Sequence, residues 1–183
     1  DATHQTWIEA PTGLGKTLGI LYPALRAMPV SDISRVFYFT AKVQGQKAAE
    51  EALQQLRGGE TLPLTSVTIT AKRAVCPTPE LPCDPAYCPR AKGFYDRLGE
   101  GLVELRKASR HQHIHRATIE RVSDSYALCP FELNLEIARE SDVVVADFNY
   151  GFDPRVRLQR LLEQPKTKPV FLVDEAHNLL TRS

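Results

Sequence analysis

The chain has 183 residues, of which 43% are hydrophobic and 25% charged, and its formal net charge is +1. This length suits one α/β domain with a small inserted module, and a charge so close to zero gives no indication about partners. No apolar run reaches the roughly 18 residues of a membrane span, and the first residues lack the basic and apolar regions of a signal peptide. We therefore expect a protein that is neither embedded in a membrane nor secreted.

Short apolar runs alternate with helical patterns along the chain, beginning with a run at 6–8 that we interpret as a strand leading into a glycine-rich turn. Amphipathic helices are predicted at 17–28 and 46–56. Runs rich in β-branched or aromatic residues predict four further strands, at 35–40, 66–70, 142–146 and 169–173. Such runs suit strands buried on both faces of a parallel sheet, and their alternation with helices predicts a doubly wound α/β fold.

A phosphate-binding P-loop pattern occupies residues 10–17, with alanine in place of its first glycine. Gly13 and Gly15 would let the backbone curl so that its N–H groups face phosphate oxygens. Lys16 would place its charge on the β and γ phosphates, and the Thr17 hydroxyl would complete a Mg²⁺ shell. We assign ATP–Mg binding to a continuous set: Pro11, Thr12, Gly13, Leu14, Gly15, Lys16 and Thr17.

A second motif, Asp174-Glu175-Ala176-His177, directly follows the last predicted strand. A carboxylate at a strand end can hold Mg²⁺ opposite the P-loop threonine, and Asp174 suits that role. Glu175 would orient the attacking water, and His177 would couple the nucleotide state to the rest of the protein. The predicted catalytic set is therefore Lys16, Asp174 and Glu175.

The segment 72–129 interrupts the α/β pattern. It holds all four cysteines and five of the prolines, without a convincing buried strand or an obvious core of its own. We therefore predict an insertion at 72–129 between two parts of one motor domain, 1–71 and 130–183. Within it, the run from His111 to His115 is interpreted as an exposed polar stretch rather than a metal site.

The cysteines Cys76, Cys83, Cys88 and Cys129 have the spacing C-x6-C-x4-C-x40-C. Structural zinc sites usually bring pairs only two to four residues apart, and no such pair occurs here. Because the chain carries an ATP motif and no export signal, we expect a reducing compartment, where clustered cysteines are typical metal or cluster ligands. An iron–sulfur cluster, zinc, and free or disulfide-bonded cysteines all remain open on spacing alone.

The P-loop and the DEAH tetrapeptide together resemble superfamily 2 helicases of the DEAH form. Residues 39–46 look like the DNA-contacting motif Ia of that family, in which Thr40 would grip a phosphate backbone. The cysteine-bearing segment, the basic pair before Cys76 and the step Cys129-Pro130-Phe131 resemble the iron–sulfur DNA helicases of the XPD/DinG-like group.

The resemblance implies a RecA-like motor domain in which all four cysteines bind one [4Fe-4S] cluster. It implies single-stranded DNA as the track, with 5′ to 3′ polarity. Besides Thr40, the candidates for touching DNA are Lys72, Arg73, Arg90, Lys92 and Tyr95, because basic and aromatic groups suit backbone attraction and base stacking.

It further implies a second RecA-like domain and an arch insertion. Neither lies within these residues, so we expect the chain alone to turn over ATP poorly. A bacterial protein of this kind would be cytoplasmic and a eukaryotic one nuclear. Two alternatives remain. One is a metal-stapled P-loop ATPase that remodels or senses nucleic acid without unwinding it, and the other is a catalytically silent cluster-binding module.

Overall fold

The computed structural model describes residues 5–11, 14–59, 64–163 and 168–179. Within these ranges four strands form one parallel sheet in the order β2-β3-β1-β4. The strands are β1 (Arg35–Thr40), β2 (Ser66–Thr68), β3 (Val143–Asp147) and β4 (Pro169–Val173). The predicted α/β class with a parallel sheet is confirmed.

The helices cover both faces of this sheet. Their bounds are α1 (Lys16–Ala27), α2 (Val43–Gly59), α3 (Lys72–Val75), α4 (Phe94–Ser109), α5 (Arg116–Ser125), α6 (Pro130–Ala138), α7 (Phe148–Phe152) and α8 (Gln159–Leu162), followed by a 3-10 turn at Ala176–Leu179. In the described part of the chain, no helix is both long and apolar enough to cross a membrane.

Alternation along the central strands creates two separate cores. Val36 and Tyr38 of β1 belong to the core formed with α1 and α2. Phe37 and Phe39 belong to the opposite core, to which α4, α5 and α6 contribute. This is the two-residue period of a strand buried on both faces, as the sequence predicts.

β4 differs from the other predicted strands because its side chains are only partly buried, and Phe171 is 47% exposed. Within the described residues β4 pairs with β1 on one side only. The predicted strand at 6–8 is wrong: residues 5–11 have no regular structure, with Trp7 79% and Ile8 67% exposed. A three-residue run forms a strand only where a neighbouring strand pairs with it.

The segment 72–129 packs more closely on the sheet than its composition predicted. Leu105, Ile119 and Val122 are fully buried in the same core as Phe39. The segment therefore shares the core of the sheet, because its apolar side chains are spaced along helices and pack against the sheet. The division of the chain at 72 and 129 stays a prediction.

The histidine stretch also differs from its prediction. His113 is 7% exposed and Ile114 is fully buried, although His111 and His115 are exposed as expected. Ile114 forms a parallel bridge with Val67, exchanging backbone hydrogen bonds with the outer edge of β2. This pairing joins the segment to the sheet and removes His113 from solvent.

Candidate nucleotide and cysteine sites

The P-loop segment begins α1. Gly15 is the residue before the helix, with φ 69°, a left-handed conformation that glycine adopts at little cost. Lys16 and Thr17 therefore stand in the first turn, where unpaired backbone N–H groups attract phosphate. Thr12 and Gly13 lie outside the described residues, so the predicted cradle is seen only in part.

The DEAH motif is fixed at the carboxyl end of the sheet. The backbone N–H of Asp174 donates to Phe39 O at 2.9 Å, which continues the β1–β4 pairing by one residue. Glu175 follows with φ 53°, a conformation that non-glycine residues rarely adopt. Such strain is typical of functional sites, where the surrounding structure holds a side chain in a required direction.

The two motifs meet at Lys16 and Glu175. Lys16 Nζ donates to the Ala10 carbonyl at 3.1 Å and lies 3.9 Å from Glu175 Oε1. The other carboxylate oxygen of Glu175 lies 3.5 Å from His177 Nε2. Both carboxylate and ammonium are about one-third exposed, so a ligand can reach them from solvent. This geometry places a cation and a carboxylate side by side at a solvent-accessible position.

Tyr38 is a site residue that sequence reasoning missed. It is fully buried in β1, and its hydroxyl faces the side chains of Thr17 and Asp174 without a hydrogen bond to either. Burial raises the pKa of Tyr38 well above its usual range. The face of the strand on which Tyr38 lies could have been predicted, because the two-residue period of β1 places it on the side that packs against α1.

All four cysteines line one cavity of about 330 Å³, at the junction of the 72–129 segment and α6. Cys76 ends α3, and Cys129 immediately precedes α6 with a proline at the next position. Cys83 and Cys88 lie on the irregular segment between α3 and α4. Cysteines far apart in the sequence are therefore brought to one cavity.

The surroundings of Cys88 and Cys129 shift the pKa values of their thiols in opposite directions. Burial would raise the pKa of Cys88, but the N–H groups of Ala91 and Arg90 and the Thr78 hydroxyl outweigh it, and the net pKa is lowered. Burial raises the pKa of Cys129, although N–H groups at the start of α6 oppose that effect. Within the described residues, no group of three or more His, Cys, Asp or Glu side chains converges on a single metal ion.

The predicted DNA-contacting residues divide into three groups. Thr40 is 1% exposed, and its hydroxyl lies where a Cβ on Gly45 would collide with it. The Arg90 guanidinium donates to acceptors on Ser123, Asp124 and Leu128. Both residues stay predicted DNA contacts.

The remaining candidates are accessible, with one qualification for Lys72. Arg73, Lys92 and Tyr95 are exposed. Lys72 is also exposed, but its ammonium lies against Cys83 in the cysteine cavity, which raises the pKa of Lys72. These four residues stay predicted DNA contacts.

Known proteins resemble this chain in sequence and in fold. The family model described as DEAD_2 matches residues 83–182, which is more than half of the chain. The chain belongs to the DEAD_2 family. The resemblance to XPD-like superfamily 2 helicases is thereby confirmed, and the DEAD_2 chain corresponds to an N-terminal helicase region.

Relatives of the DEAD_2 chain include two proteins named regulator of telomere elongation helicase 1 homolog. The one from Culex quinquefasciatus is 26% identical over 140 residues and the one from Anopheles gambiae 24%, each alignment covering 70% of this chain. The chain spans only about 14% of the length of either relative. A solved structure titled truncated XPD shares the fold at a TM-score of 0.57 and 20% identity, covering 93% of this chain and 47% of that one.

Proposed function

We propose that this chain is the ATP-binding part of a DNA helicase motor that moves along single-stranded DNA. The observation that carries the proposal is the approach of Lys16 to Glu175 at the carboxyl end of a parallel sheet. Ligands of open α/β sheets bind at this end of the strands.

Each residue of the nucleotide site has a defined role. The P-loop backbone from Pro11 to Thr17 would surround the phosphates, and Lys16 would neutralise the β and γ oxygens, replacing its present contact with Ala10 O. Thr17 and Asp174 would hold Mg²⁺. Glu175 would orient the water that attacks the γ phosphate.

The four cysteines would hold a [4Fe-4S] cluster. The fit rests on a single cavity lined by all four cysteines, with backbone N–H groups directed at Cys88 and Cys129. When bound, the cluster supplies covalent links among segments that are distant in the sequence. Arg90 supports the same arrangement, because it fastens the residues after Cys88 to the turn before Cys129.

Single-stranded DNA would pass beside the cysteine cavity. Lys72, Arg73, Lys92 and Tyr95 offer cationic groups for phosphates and an aromatic face for a base. The family implies 5′ to 3′ movement, and the second motor domain would supply the arginine that completes ATP hydrolysis.

The test is ATP hydrolysis by the full-length protein with and without single-stranded DNA. We expect DNA to stimulate the wild type and Lys16→Ala to lose the activity, whereas Lys47→Ala, an exposed lysine of α2, should behave as wild type. Hydrolysis by Lys16→Ala at the wild-type rate would overturn the proposal. Normal DNA-stimulated hydrolysis without strand separation would instead favour a remodelling ATPase.

A further inference from the structure

The hydroxyl of Tyr38 is a polar group in a core whose other buried side chains are aliphatic. Its side chain is fully buried between the β3 and β4 neighbours Val145 and Leu172, in a cluster made of aliphatic residues. Phe37 and Phe39 flank it on the same strand, so this strand already accommodates phenylalanine. A phenyl ring would fill the same space without burying a hydroxyl.

The Tyr38 hydroxyl has no hydrogen-bond partner among the described residues. A buried polar atom without a partner is unfavourable, and in native proteins it calls for a specific explanation. The position of the hydroxyl offers one, because the groups that it faces are the side chains of Thr17 and Asp174. These are the two residues proposed to hold Mg²⁺, one from the P-loop and one from the DEAH motif.

Thr17 and Asp174 differ in the direction of the hydrogen bond that each could make with the Tyr38 oxygen. The Thr17 hydroxyl could donate a hydrogen bond to it, whereas the Asp174 carboxylate could only accept one from it. A phenol can satisfy both at once, since it has one O–H to donate and lone pairs to accept. The ordinary pKa of a phenol is about 10, so the proton is available for donation at physiological pH.

We infer that Tyr38 is a positioning residue that orients Thr17 and Asp174 for a divalent cation. The Thr17 O–H donates to Tyr38 Oη, which turns the threonine lone pairs toward the cation. The Tyr38 O–H donates to one oxygen of Asp174, which fixes the carboxylate so that its other oxygen faces the same cation. These hydrogen bonds would form when the P-loop and the DEAH motif both bind Mg²⁺–nucleotide. This inference rests on the proposed nucleotide site.

The test compares Tyr38→Phe with wild type in the full-length protein, by the affinity of a fluorescent ATP analogue as MgCl₂ is varied. We expect the Mg²⁺ concentration at half-maximal affinity to rise about 5-fold or more, because the variant loses both hydrogen bonds of the Tyr38 hydroxyl. Affinity measured in EDTA should change less than about 2-fold, because Lys16 and the P-loop backbone are untouched.

Tyr126→Phe is the matched control, because it removes a phenol oxygen that contacts Glu104, away from the nucleotide site. It should leave both affinities unchanged. An unchanged Mg²⁺ requirement in Tyr38→Phe would overturn the inference. An equal loss of affinity with and without Mg²⁺ would also overturn it, because Tyr38 would then act by packing alone. Failure of the wild type to bind the analogue would instead overturn the proposed function.

Discussion

Lys16 Nζ lies 3.9 Å from Glu175 Oε1, although the two residues stand near opposite ends of the sequence. The contact exists because β1 and β4 are neighbours and both the P-loop and the DEAH motif lie at the carboxyl end of the sheet. Two motifs that are each only suggestive in the sequence thus form one site.

Replacement of Glu175 by glutamine should separate nucleotide binding from hydrolysis. The amide keeps the size of the side chain but cannot accept a proton from water, so we expect hydrolysis in the full-length protein to fall by about 10²-fold or more. Affinity for ATP should stay within about 2-fold, since Lys16 loses only a partly exposed ion pair. Glu51→Gln, on the exposed face of α2, is the control. Hydrolysis at the wild-type rate in Glu175→Gln would remove Glu175 from the catalytic set.

His113 links the 72–129 segment to β2. Its Nδ1 lies 2.8 Å from Ser66 Oγ and its Nε2 2.8 Å from Thr68 Oγ1. Burial, together with the charge of Arg57, lowers the pKa of His113 from 6.5 to about 3. The ring is therefore neutral in the folded protein at physiological pH.

This neutral histidine should make stability depend on pH. Between pH 6.5 and 3 the unfolded chain binds a proton at His113 that the folded chain does not, so the free energy of unfolding falls as the pH falls. From pH 7 to 5 we expect a loss of up to about 2 kcal/mol that is absent in His113→Gln. Urea titrations at several pH values measure it, with exposed His111→Gln as the control. Parallel pH profiles for wild type and His113→Gln would contradict this assignment.

The sequence was sufficient for the bounds of β1 and β4 and for recognising the two motifs, but not for the long-range pairings. Strand β1 and strand β4 have the predicted bounds because their apolar runs are continuous and end at polar or turn residues. The burial of His113 could not be predicted from its polar neighbours, since it depends on a bridge to Val67.

The candidate site also contains residues that the sequence could indicate and features that depend on tertiary contacts. Lys16, Asp174 and Glu175 could be proposed from the sequence because their motifs have fixed spacing. The burial of Thr40 and the internal hydrogen bonds of Arg90 could not be predicted, because polarity in a sequence does not reveal whether a side chain is covered or already hydrogen-bonded. Tyr38 was overlooked because its hydroxyl gains meaning only from residues on two other elements.

Cys88→Ser should remove the iron chromophore of the anaerobically purified protein, because serine is a poor ligand for the proposed cluster. We expect iron content to fall and proteolysis to increase first within residues 77–93, which lie between α3 and α4. Helices α4 and α5 should stay folded, since Leu105 and Ile119 are held by the sheet core.

Ser125→Ala, at the end of α5, is the matched control, and it should keep both iron and protease resistance. Stoichiometric zinc with no iron in the wild type would refute the cluster. Loss of the whole helical layer in Cys88→Ser would contradict the shared core.

The pair Lys72 and Arg73 should contribute to single-stranded DNA binding in the full-length protein. Each phosphate contact adds about 0.7 to the slope of log affinity against log salt, so replacing both by alanine should flatten the slope by roughly 1 to 1.5. The exposed pair Lys107 and Arg110, at the end of α4, provides the control double variant. Iron content must match wild type, because Lys72 lies against Cys83. Equal slopes with the cluster intact would make the pair ordinary surface charges.

Strand displacement by the full-length protein tests the motor most directly. The substrate is a duplex with a 5′ single-stranded tail, and the released strand is measured over time with ATP and Mg²⁺. We predict that the wild type and Lys47→Ala separate the strands, and that Lys16→Ala leaves them paired because the β and γ phosphates lose their cation. Strand separation by Lys16→Ala at the wild-type rate, or no ATP-dependent separation by the wild type, would contradict the account.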